Sequence, residues 1–288
     1  MTAPRGIALA LVTHESLDDL EVCLPGQLDA ARELGSPFIV VDNASRDAGP
    51  AYVVSRLDPA RDERLVRMGI NTGYAAAVNA ALSEAPGMDL MLLNPDVEVT
   101  AGGICALQAV LARYPRVAVA APRLVDASGA PQASARSYPS ALTILGSSRL
   151  GRKVGALRRA YESYVDPGAG EEPRTVDWAI GAALLIRREA CDQIGGWDQR
   201  YFLYVEDVDF CRRCWQAGWE VVYVPGVRFT HRYERATTQP GVSAIRSRSR
   251  RHHIRGLLRL WSRDPALMVG RARHAPHPLG DSAEVERR

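Results

Sequence analysis

The sequence predicts an α/β protein with a mostly parallel central sheet and helices on both of its faces. Short apolar runs of strand length alternate with helical patterns through the first 125 residues. That β-α-β-α order is typical of parallel sheets with crossover helices. Acidic or polar residues directly follow several of the runs, at the position where open α/β sheets bind their ligands.

In the first half, five strands alternate with three longer helical patterns. The predicted strands are Ile7–Val12, Pro37–Val41, Leu65–Met68, Leu90–Leu93 and Val117–Ala121, and the predicted helices are Leu17–Leu34, Tyr74–Ala85 and Ile104–Tyr114. Gly35 follows the first helical pattern as a C-cap would. The second helical pattern is rich in alanine, the strongest helix former.

In the second half, residues 126–174 are rich in Gly, Ser, Pro and Arg, which predicts long loops. Order returns in a set of elements that share apolar patterning: a strand at Val176–Arg187, a short helix ending near Gly195, a helix at Glu206–Ala217 and a strand at Glu220–Val224. We expect one domain at 1–232, divided near residue 125 into two halves. Residues 233–288 form a basic extension that is partly helical, and its last fifteen or so residues are predicted to be disordered.

Composition is that of an ordinary soluble protein of 288 residues, with 47% apolar and 24% charged residues. Its apolar runs fall far short of the roughly 18 residues that span a bilayer. The first run continues into a patterned domain, so we interpret it as a strand and expect a cytoplasmic protein. The five cysteines do not suggest a disulfide framework, and Cys211 and Cys214 fit buried core thiols better than a zinc site.

The net charge of +3 conceals a strongly basic tail. Eight arginines and no acid lie between Arg235 and Arg263, which suggests an anionic partner such as a membrane surface, a lipid diphosphate or nucleic acid. Within a predicted helix at 245–261, Ile254, Leu257 and Trp261 share one face with Leu258. Two hypotheses stay open: residues 245–263 contact the inner face of the plasma membrane peripherally, or the apolar stripe packs on the catalytic domain.

Four positions carry chemistry-bearing side chains next to apolar runs: Asp42, Asp96, the pair Glu206 and Asp207, and His231. Each has an ordinary explanation by itself, such as an Asx turn, an Asn-Pro turn or acids at a helix start. Asp96 also suits a hard cation, since Mg²⁺ and Mn²⁺ are often held by one or two carboxylates plus substrate oxygens. Glu206 or Asp207 suits proton abstraction from a hydroxyl group.

Taken together, these positions resemble glycosyltransferase family 2, the inverting transferases of the GT-A fold, and most closely its rhamnosyltransferase-like bacterial branch. The resemblance covers roughly 7–231. It implies that 1–232 is a catalytic domain, with a nucleotide-binding half up to about 125 and an acceptor half at 126–232. The segments that carry it are Leu11-Val12-Thr13-His14, Val40-Val41-Asp42-Asn43, Asn71-Thr72-Gly73-Tyr74, Leu93-Asn94-Pro95-Asp96, Gly195-Gly196-Trp197-Asp198 and Tyr204-Val205-Glu206-Asp207.

The resemblance implies roles for ten residues. Those for nucleotide-sugar binding are Thr13, His14, Asp42, Asn71, Gly73, Asn94 and Asp96; those for the metal are Asp96 and His231; the base is Asp207, with Glu206 as the alternative. Two motifs depart from the family pattern. The opening Val-Thr-Tyr-Asn reads Val-Thr-His-Glu, which puts the nucleobase contact in doubt, and Asn94 replaces the first aspartate of an Asp-x-Asp motif.

The implied activity is metal-dependent transfer, with Mn²⁺ or Mg²⁺, of a sugar from a nucleoside diphosphate to a hydroxyl of a glycan, glycolipid or polyprenyl-linked acceptor. The branch favours a dTDP-linked 6-deoxyhexose such as rhamnose. Two alternatives are a catalytically inactive transferase-like partner and a protein that binds nucleic acid or an anionic surface. Nucleic acid is not expected, because interleaved aromatic residues and a known reading module are missing from the sequence. An NAD-dependent Rossmann enzyme is excluded because no GxGxxG follows the first strand.

Overall fold

A computed structural model describes residues 6–148, 150–165, 170–232, 242–271 and 279, with the backbone alone for 242–248. The elements of the first half are β1 Ile7–Thr13, α1 Leu17–Leu34, β2 Phe38–Asp42, α2 Gly49–Arg56, β3 Glu63–Arg67, α3 Tyr74–Glu84, β4 Asp89–Leu93, β5 Val97–Glu98, α4 Ala101–Arg113 and β6 Val117–Val125. The later elements are β7 Ala135–Arg136, α5 Ala141–Gly146, α6 Gly155–Val165, β8 Arg174–Thr175, β9 Trp178–Ala179, β10 Ala183–Ile186, α7 Arg188–Ile194, α8 Glu206–Gln216, β11 Glu220–His231, α9 Val242–Arg263 and α10 Pro265–Met268.

The predicted strands and helices of the first half are confirmed, and α2 is an addition that the sequence analysis missed. Strands β1, β2 and β4 are buried along their whole length, as expected of central strands covered on both faces. Helix α1 ends at Gly35, whose φ of 60° is the left-handed conformation that glycine adopts without a steric penalty.

The main sheet has the order β3-β2-β1-β4-β10-β6-β11-β5, with β8 paired to β11. Strands β3, β2, β1 and β4 are parallel, whereas β10 is antiparallel to both β4 and β6. Strand β11 is parallel to β6, so it runs in the same direction as β4. The carboxyl ends of β1, β2, β4 and β11 and the amino end of β10 therefore lie along one edge of the sheet, which we call the catalytic edge.

Residues 126–174 do not form the predicted long loops, because they contain α5 and α6. Helix α5 begins with a capping box in which the side chains of Ser140 and Thr143 each accept a backbone N–H. Gly146 is needed where α5 meets α6, since a Cβ there would lie 2.2 Å from the Leu157 carbonyl oxygen. Ser140 and Gly146 are therefore a helix cap and a close-packing position, whereas Ser128 and Gly129 do lie in a turn after β6.

Two predicted strands have different limits in the structure. The run Val176–Arg187 is broken at Gly181 into β9 and β10, and the last strand continues through Pro225 to His231. His231 consequently lies at the end of β11 rather than in a loop beyond it. Cys211 and Cys214 are free and fully buried in α8, as predicted for core thiols.

The tail forms helix α9, and its apolar stripe is divided between two environments. Leu257 and Leu260 are buried, and the Trp261 indole N–H donates to the Pro139 carbonyl oxygen at 3.0 Å. Ile254 and Leu258 remain 46% and 60% exposed. Packing on the domain thus explains one side of α9 and leaves its outer side without a partner among the described residues. Arg235 lies outside the described residues. So does the end predicted to be disordered, apart from Leu279, which is partly buried and packs against the core.

None of the helices within the described part of the chain combines the length and the apolar character that crossing a membrane requires.

Candidate active site

An open cavity of about 790 Å³ lies beside the ends of β1, β2 and β3. His14 and Asn71 are in its wall, together with Arg46 and Arg67. Two cationic side chains in the wall suit an anionic ligand such as a nucleoside diphosphate. Neither arginine was a sequence candidate, because a surface arginine in a loop or at a strand end carries no distinguishing pattern.

Thr13 and Asp42 are brought to the same edge but are buried. Asp42 Oδ1 accepts the Ser45 N–H at 3.1 Å, which is the Asx turn that the sequence also suggests. Asp42 Oδ2 lies 3.6 Å from Arg67 Nε. Thr13 Oγ1 is buried without a hydrogen-bond partner among the described residues. Asp42 Oδ2, like Thr13 Oγ1, has no hydrogen-bond partner among the described residues, and its charge faces Arg67 at the cavity.

Asn43 organises the loop that carries the candidate donor residues Asn71 and Gly73. Its amide N–H group donates to Asn71 Oδ1 at 3.1 Å and to the Gly73 carbonyl oxygen at 3.2 Å. Its amide oxygen accepts the Thr72 N–H at 3.1 Å. With Asn71 Oδ1 also accepting the Gly73 N–H, the 71–73 loop is fixed against the end of β2.

Asp96 and His231 come together at the catalytic edge from loci far apart in the chain. His231 Nε2 lies 3.3 Å from Asp96 Oδ2, and the Arg232 N–H donates to the Asp96 carbonyl oxygen at 2.8 Å. Strand β5 pairs with the end of β11, with Val97 opposite His231, so the sheet itself sets this approach. Asp96 Oδ1 is buried and has no hydrogen-bond partner among the described residues.

Gln132 holds His231 in one orientation, a role that no sequence pattern indicated. Its amide Nε2 donates to the His231 carbonyl oxygen at 2.8 Å, so its Oε1, 2.7 Å from His231 Nδ1, must act as an acceptor. Nδ1 therefore carries a proton, and Nε2 faces a carboxylate oxygen of Asp96. His231 Nε2 and Asp96 Oδ2 are 3.3 Å apart. Two acceptor atoms at that distance repel one another unless a proton or a cation lies between or beside them.

Glu206 and Asp207, the acidic pair, are the first two residues of α8, and their surroundings differ. The half-buried Asp207 accepts the Gly181 N–H at Oδ2 at 3.2 Å and the Val208 N–H at Oδ1 at 2.8 Å. Burial raises the pKa of Asp207, and these two N–H groups oppose that rise by stabilising the carboxylate. Burial and the neighbouring Asp207 charge raise the pKa of Glu206 to about 8.

At neutral pH, Glu206 is therefore largely protonated, and Glu206 Oε2 is buried without a partner among the described residues. Asp209, the third acid of α8, is fully buried and paired with Arg213 at 2.7 Å. Asp207 is thus the acid of this helix that remains suited to accept a proton.

Tyr74 connects the loop that carries Asn94 and Asp96 to the acidic pair. Its hydroxyl lies 3.0 Å from Asn94 Oδ1 and 2.8 Å from the Gly181 carbonyl oxygen, while the Gly181 N–H binds Asp207. On the other side, the amide of Gln27, which is fully buried, donates to the Asn94 carbonyl oxygen at 3.0 Å and the Val97 carbonyl oxygen at 2.7 Å. Asn94 is thus held in the framework by Tyr74 and Gln27, on either side of the loop that carries Asp96.

The loop that leads to the acidic pair is pressed against Gly73. Tyr74 N–H donates to the Phe202 carbonyl oxygen at 2.9 Å, and a Cβ on Gly73 would lie 2.4 Å from that oxygen. Gly73 has φ of 93°, a conformation rarely open to other residues. The other side of the loop contacts α9, where His252 stacks on Phe202 with ring centroids 4.6 Å apart. The tail helix is therefore part of the structure that supports the acidic pair.

Arg136 supplies a cation on the same side as Asp207. Its guanidinium lies over the rings of Trp178 and Tyr164, with its carbon 5.5 Å and 5.6 Å from the ring centroids. Burial raises the pKa of Asp207, and the Arg136 charge opposes that rise as a minor contribution. The pKa of His253 is lowered mainly by burial and secondarily by the Arg136 charge. The sequence had no signal for this residue.

Comparison with known proteins identifies the family. The model described as Glycosyl transferase family 2 matches residues 14–195, and that of Glycosyl transferase family group 2 matches residues 169–277. The chain belongs to glycosyl transferase family 2. A relative in Mycobacterium tuberculosis, N-acetylglucosaminyl-diphospho-decaprenol L-rhamnosyltransferase, is 31% identical over 259 residues, which are 86% of this chain and 83% of that protein. This relative confirms two predictions: the chain resembles the rhamnosyltransferase-like branch, and it is a glycosyltransferase.

Solved structures confirm the GT-A fold. GalNAc-T7 with UDP, GalNAc and Mn²⁺ superposes with a TM-score of 0.64 at 15% identity, covering 100% of this chain and 54% of that chain. The mannosyltransferase PcManGT from Pyrobaculum calidifontis, in complex with GDP-Man and Mn²⁺, superposes with a TM-score of 0.60 at 18% identity, covering 91% and 66% of the two chains. At these identities the likeness concerns the fold alone.

Proposed function

We infer that this glycosyltransferase moves a sugar from a nucleoside diphosphate to a hydroxyl of a lipid-linked glycan acceptor, with inversion at the anomeric carbon. The observation that carries this inference is the convergence of the Asp96–His231 pair and Asp207 on one edge of the sheet. A group that stabilises a diphosphate and a carboxylate that accepts a proton are the two requirements of this displacement.

The donor we propose is a dTDP-linked 6-deoxyhexose such as rhamnose. The Mycobacterium tuberculosis relative is named an L-rhamnosyltransferase, which supports this sugar class. Arg46 and Arg67 in the cavity wall suit the donor's negative charge. Thr13, His14, Asp42, Asn71 and Gly73 stay proposed binding residues; His14 and Asn71 have the direct access, and Asp42 acts through Arg67.

A divalent cation, Mn²⁺ or Mg²⁺, fits the residues at Asp96 and His231. Asp96 Oδ1 is a buried acceptor without a partner in the described part of the chain, and Nε2 of His231 faces the same carboxylate. No three acidic, His or Cys side chains of the described residues converge on one point, which suits an ion held by one or two side chains and substrate oxygens. When bound, such an ion would neutralise negative charge on the leaving diphosphate.

Asp207 is the proposed general base. Its carboxylate accepts the proton of the acceptor hydroxyl while that oxygen forms a bond to the anomeric carbon. The bond between the anomeric carbon and the diphosphate oxygen breaks in the same displacement, and the electron pair leaves with the nucleoside diphosphate. A single displacement inverts the anomeric centre. Glu206, protonated at neutral pH, is the less suitable base.

The acceptor we propose carries a polyprenyl diphosphate. The relative's name includes a diphospho-decaprenol, and Arg136 offers a cation beside Asp207 for such a group. Peripheral contact with the cytoplasmic membrane surface would follow from a lipid-linked acceptor. The division into a domain at 1–232 and an extension at 233–288 stays a prediction, although α9 packs against the 202–205 loop.

The experiment is a transfer assay with a panel of nucleotide sugars and a short-chain polyprenyl-diphosphate N-acetylglucosamine acceptor, with Mn²⁺, Mg²⁺ or EDTA. We expect acceptor-dependent release of nucleoside diphosphate with one donor class, loss of activity in EDTA, and a product anomer opposite to the donor. Retained anomeric configuration would exclude the single displacement. Binding of a donor without turnover under all conditions would favour the inactive-partner alternative.

A further inference from the structure

A basic and apolar surface lies on the side of the molecule formed by α5, α6 and α9. Of the thirteen large apolar side chains that are exposed among the described residues, eight belong to 142–154 and 254–269. Six of them define what we call the docking face: Leu142, Leu145, Leu150, Val154, Ile254 and Leu258. Their exposed fractions run from 46% for Ile254 to 75% for Leu150.

The two parts of the docking face are neighbours in the fold. The indole of Trp261 donates to the carbonyl oxygen of Pro139, directly before α5. A Cβ on Gly270, just after α10, would lie 3.7 Å from Ser140 Cβ. On each helix the exposed apolar residues are three or four positions apart, so they share an outer side, whereas Thr143 and Leu257 point into the protein.

The charge around the docking face is predominantly positive, although α6 also carries the exposed Glu162, which pairs with Arg158 at 3.6 Å. Between Asp126 and Glu162 the chain has six arginines and lysines and no acid, and between Glu234 and Asp264 it again has arginines without an acid. Arg152, Lys153 and Arg159 are exposed beside the apolar residues of the first part, and Arg255 and Arg259 are exposed beside those of the second. Exposed aliphatic side chains interleaved with cations are the pattern of a surface that enters an anionic lipid interface.

We propose that the docking face binds the surface of a membrane that contains anionic lipids. A second copy of the chain would present the same positive charge to itself, and aliphatic side chains give a nucleic acid no stacking surface. The location also fits: α9 contacts Tyr204 and Val205, directly before Glu206 and Asp207. A membrane at this face lies next to the acidic pair, where a lipid-linked acceptor would have to enter.

The test is sedimentation of the full-length protein with vesicles of phosphatidylcholine alone or mixed with phosphatidylglycerol, at about 0.1 M and 1 M salt. We expect binding to the anionic vesicles only, and weaker binding at high salt. Arg152→Glu with Lys153→Glu should reduce partitioning about tenfold or more, since each cation near an anionic surface contributes about fivefold. Leu142→Ser with Leu145→Ser should also reduce partitioning.

Matched controls separate a local effect from a general one. Val22→Ser with Val54→Ser removes two side chains that are 51% and 61% exposed on α1 and α2, and Arg56→Glu with Arg113→Glu makes the same change in net charge elsewhere. Both controls should bind vesicles as the wild type does. Four outcomes would overturn the proposal. Two of them are that the protein does not bind vesicles, or that it binds them regardless of lipid charge. The other two are that the variants and the controls lose binding equally, or that the leucine substitutions abolish self-association of the protein. The assay contains no donor, acceptor or metal, so its outcome is independent of the proposed transfer reaction.

Discussion

The two halves of the catalytic edge position their polar side chains by different means. In the first half, Thr13, Asp42 and Asn94 stand at or just after the ends of their own strands, and the parallel pairing of β2, β1 and β4 brings them together. In the second half, Asp207 depends on Gly181, and His231 depends on Gln132. Substitution of residues that take no part in the reaction should therefore disturb the second half.

The largest effect is expected for the proposed base itself. Asp207→Asn keeps the size of the side chain but removes its ability to accept a proton, so the transfer rate should fall about 10²- to 10⁴-fold. Donor affinity, measured by calorimetry, should change little, because the lost interaction belongs to the transition state. A variant that keeps more than about a tenth of the wild-type rate would contradict a base role for Asp207.

The next effect tests the dependence of the second half on positioning residues. Gln132→Leu frees the His231 ring, so Mn²⁺ affinity and transfer should fall about 10- to 100-fold. Titration of the protein with Mn²⁺, followed by electron paramagnetic resonance, measures the affinity without turnover. Gln193→Leu, at an exposed glutamine of α7, is the control and should leave both values unchanged. If the two variants behave alike, Gln132 has no role in orienting His231.

A matching substitution in the first half should act on stability more than on metal binding. Gln27 is fully buried and bonds two carbonyl groups, so Gln27→Leu should lower the free energy of unfolding by about 1–3 kcal/mol. Urea denaturation measures this loss. Mn²⁺ affinity should fall less than in Gln132→Leu, and a larger fall would remove the proposed contrast between the halves.

The smallest effect is expected at Glu206. Because this residue is largely protonated at neutral pH, Glu206→Gln reproduces its state and should keep the transfer rate within about threefold. In the wild type, the raised pKa means that the contribution of protonated Glu206 to the free energy of unfolding is fully present below the unfolded value of 4.5 and is lost as pH rises through about 8. The melting temperature of Glu206→Gln should not show this loss over the same pH range. If the melting temperatures of the two proteins change in parallel with pH, the raised pKa of Glu206 is contradicted.

The contrast between the halves also explains what could be predicted from the sequence. Strand ends are local features, so Asp42 and Asp96 could be found from the apolar runs before them. Gln27 was also detectable, since it interrupts the apolar stripe formed by Leu20, Leu24 and Leu28. Gln132 and Arg136 were not, because their roles depend on partners 99 and 71 positions away that only the fold brings near. The loop prediction for 126–174 is wrong at Ser140 and Gly146, because serine and glycine also serve as helix caps and in tight helix packing.

The pH dependence of kcat/KM, measured in the wild type and in Glu206→Gln, decides which carboxylate of the acidic pair accepts the proton. We expect Asp207 to accept it while Glu206 stays neutral. The rate should fall as pH decreases through the raised pKa of Asp207, because protonation removes the base. Both proteins should show this same acid limb. A wild-type rate that instead rises through about pH 8, with that rise absent in Glu206→Gln, would make Glu206 the base and contradict the account.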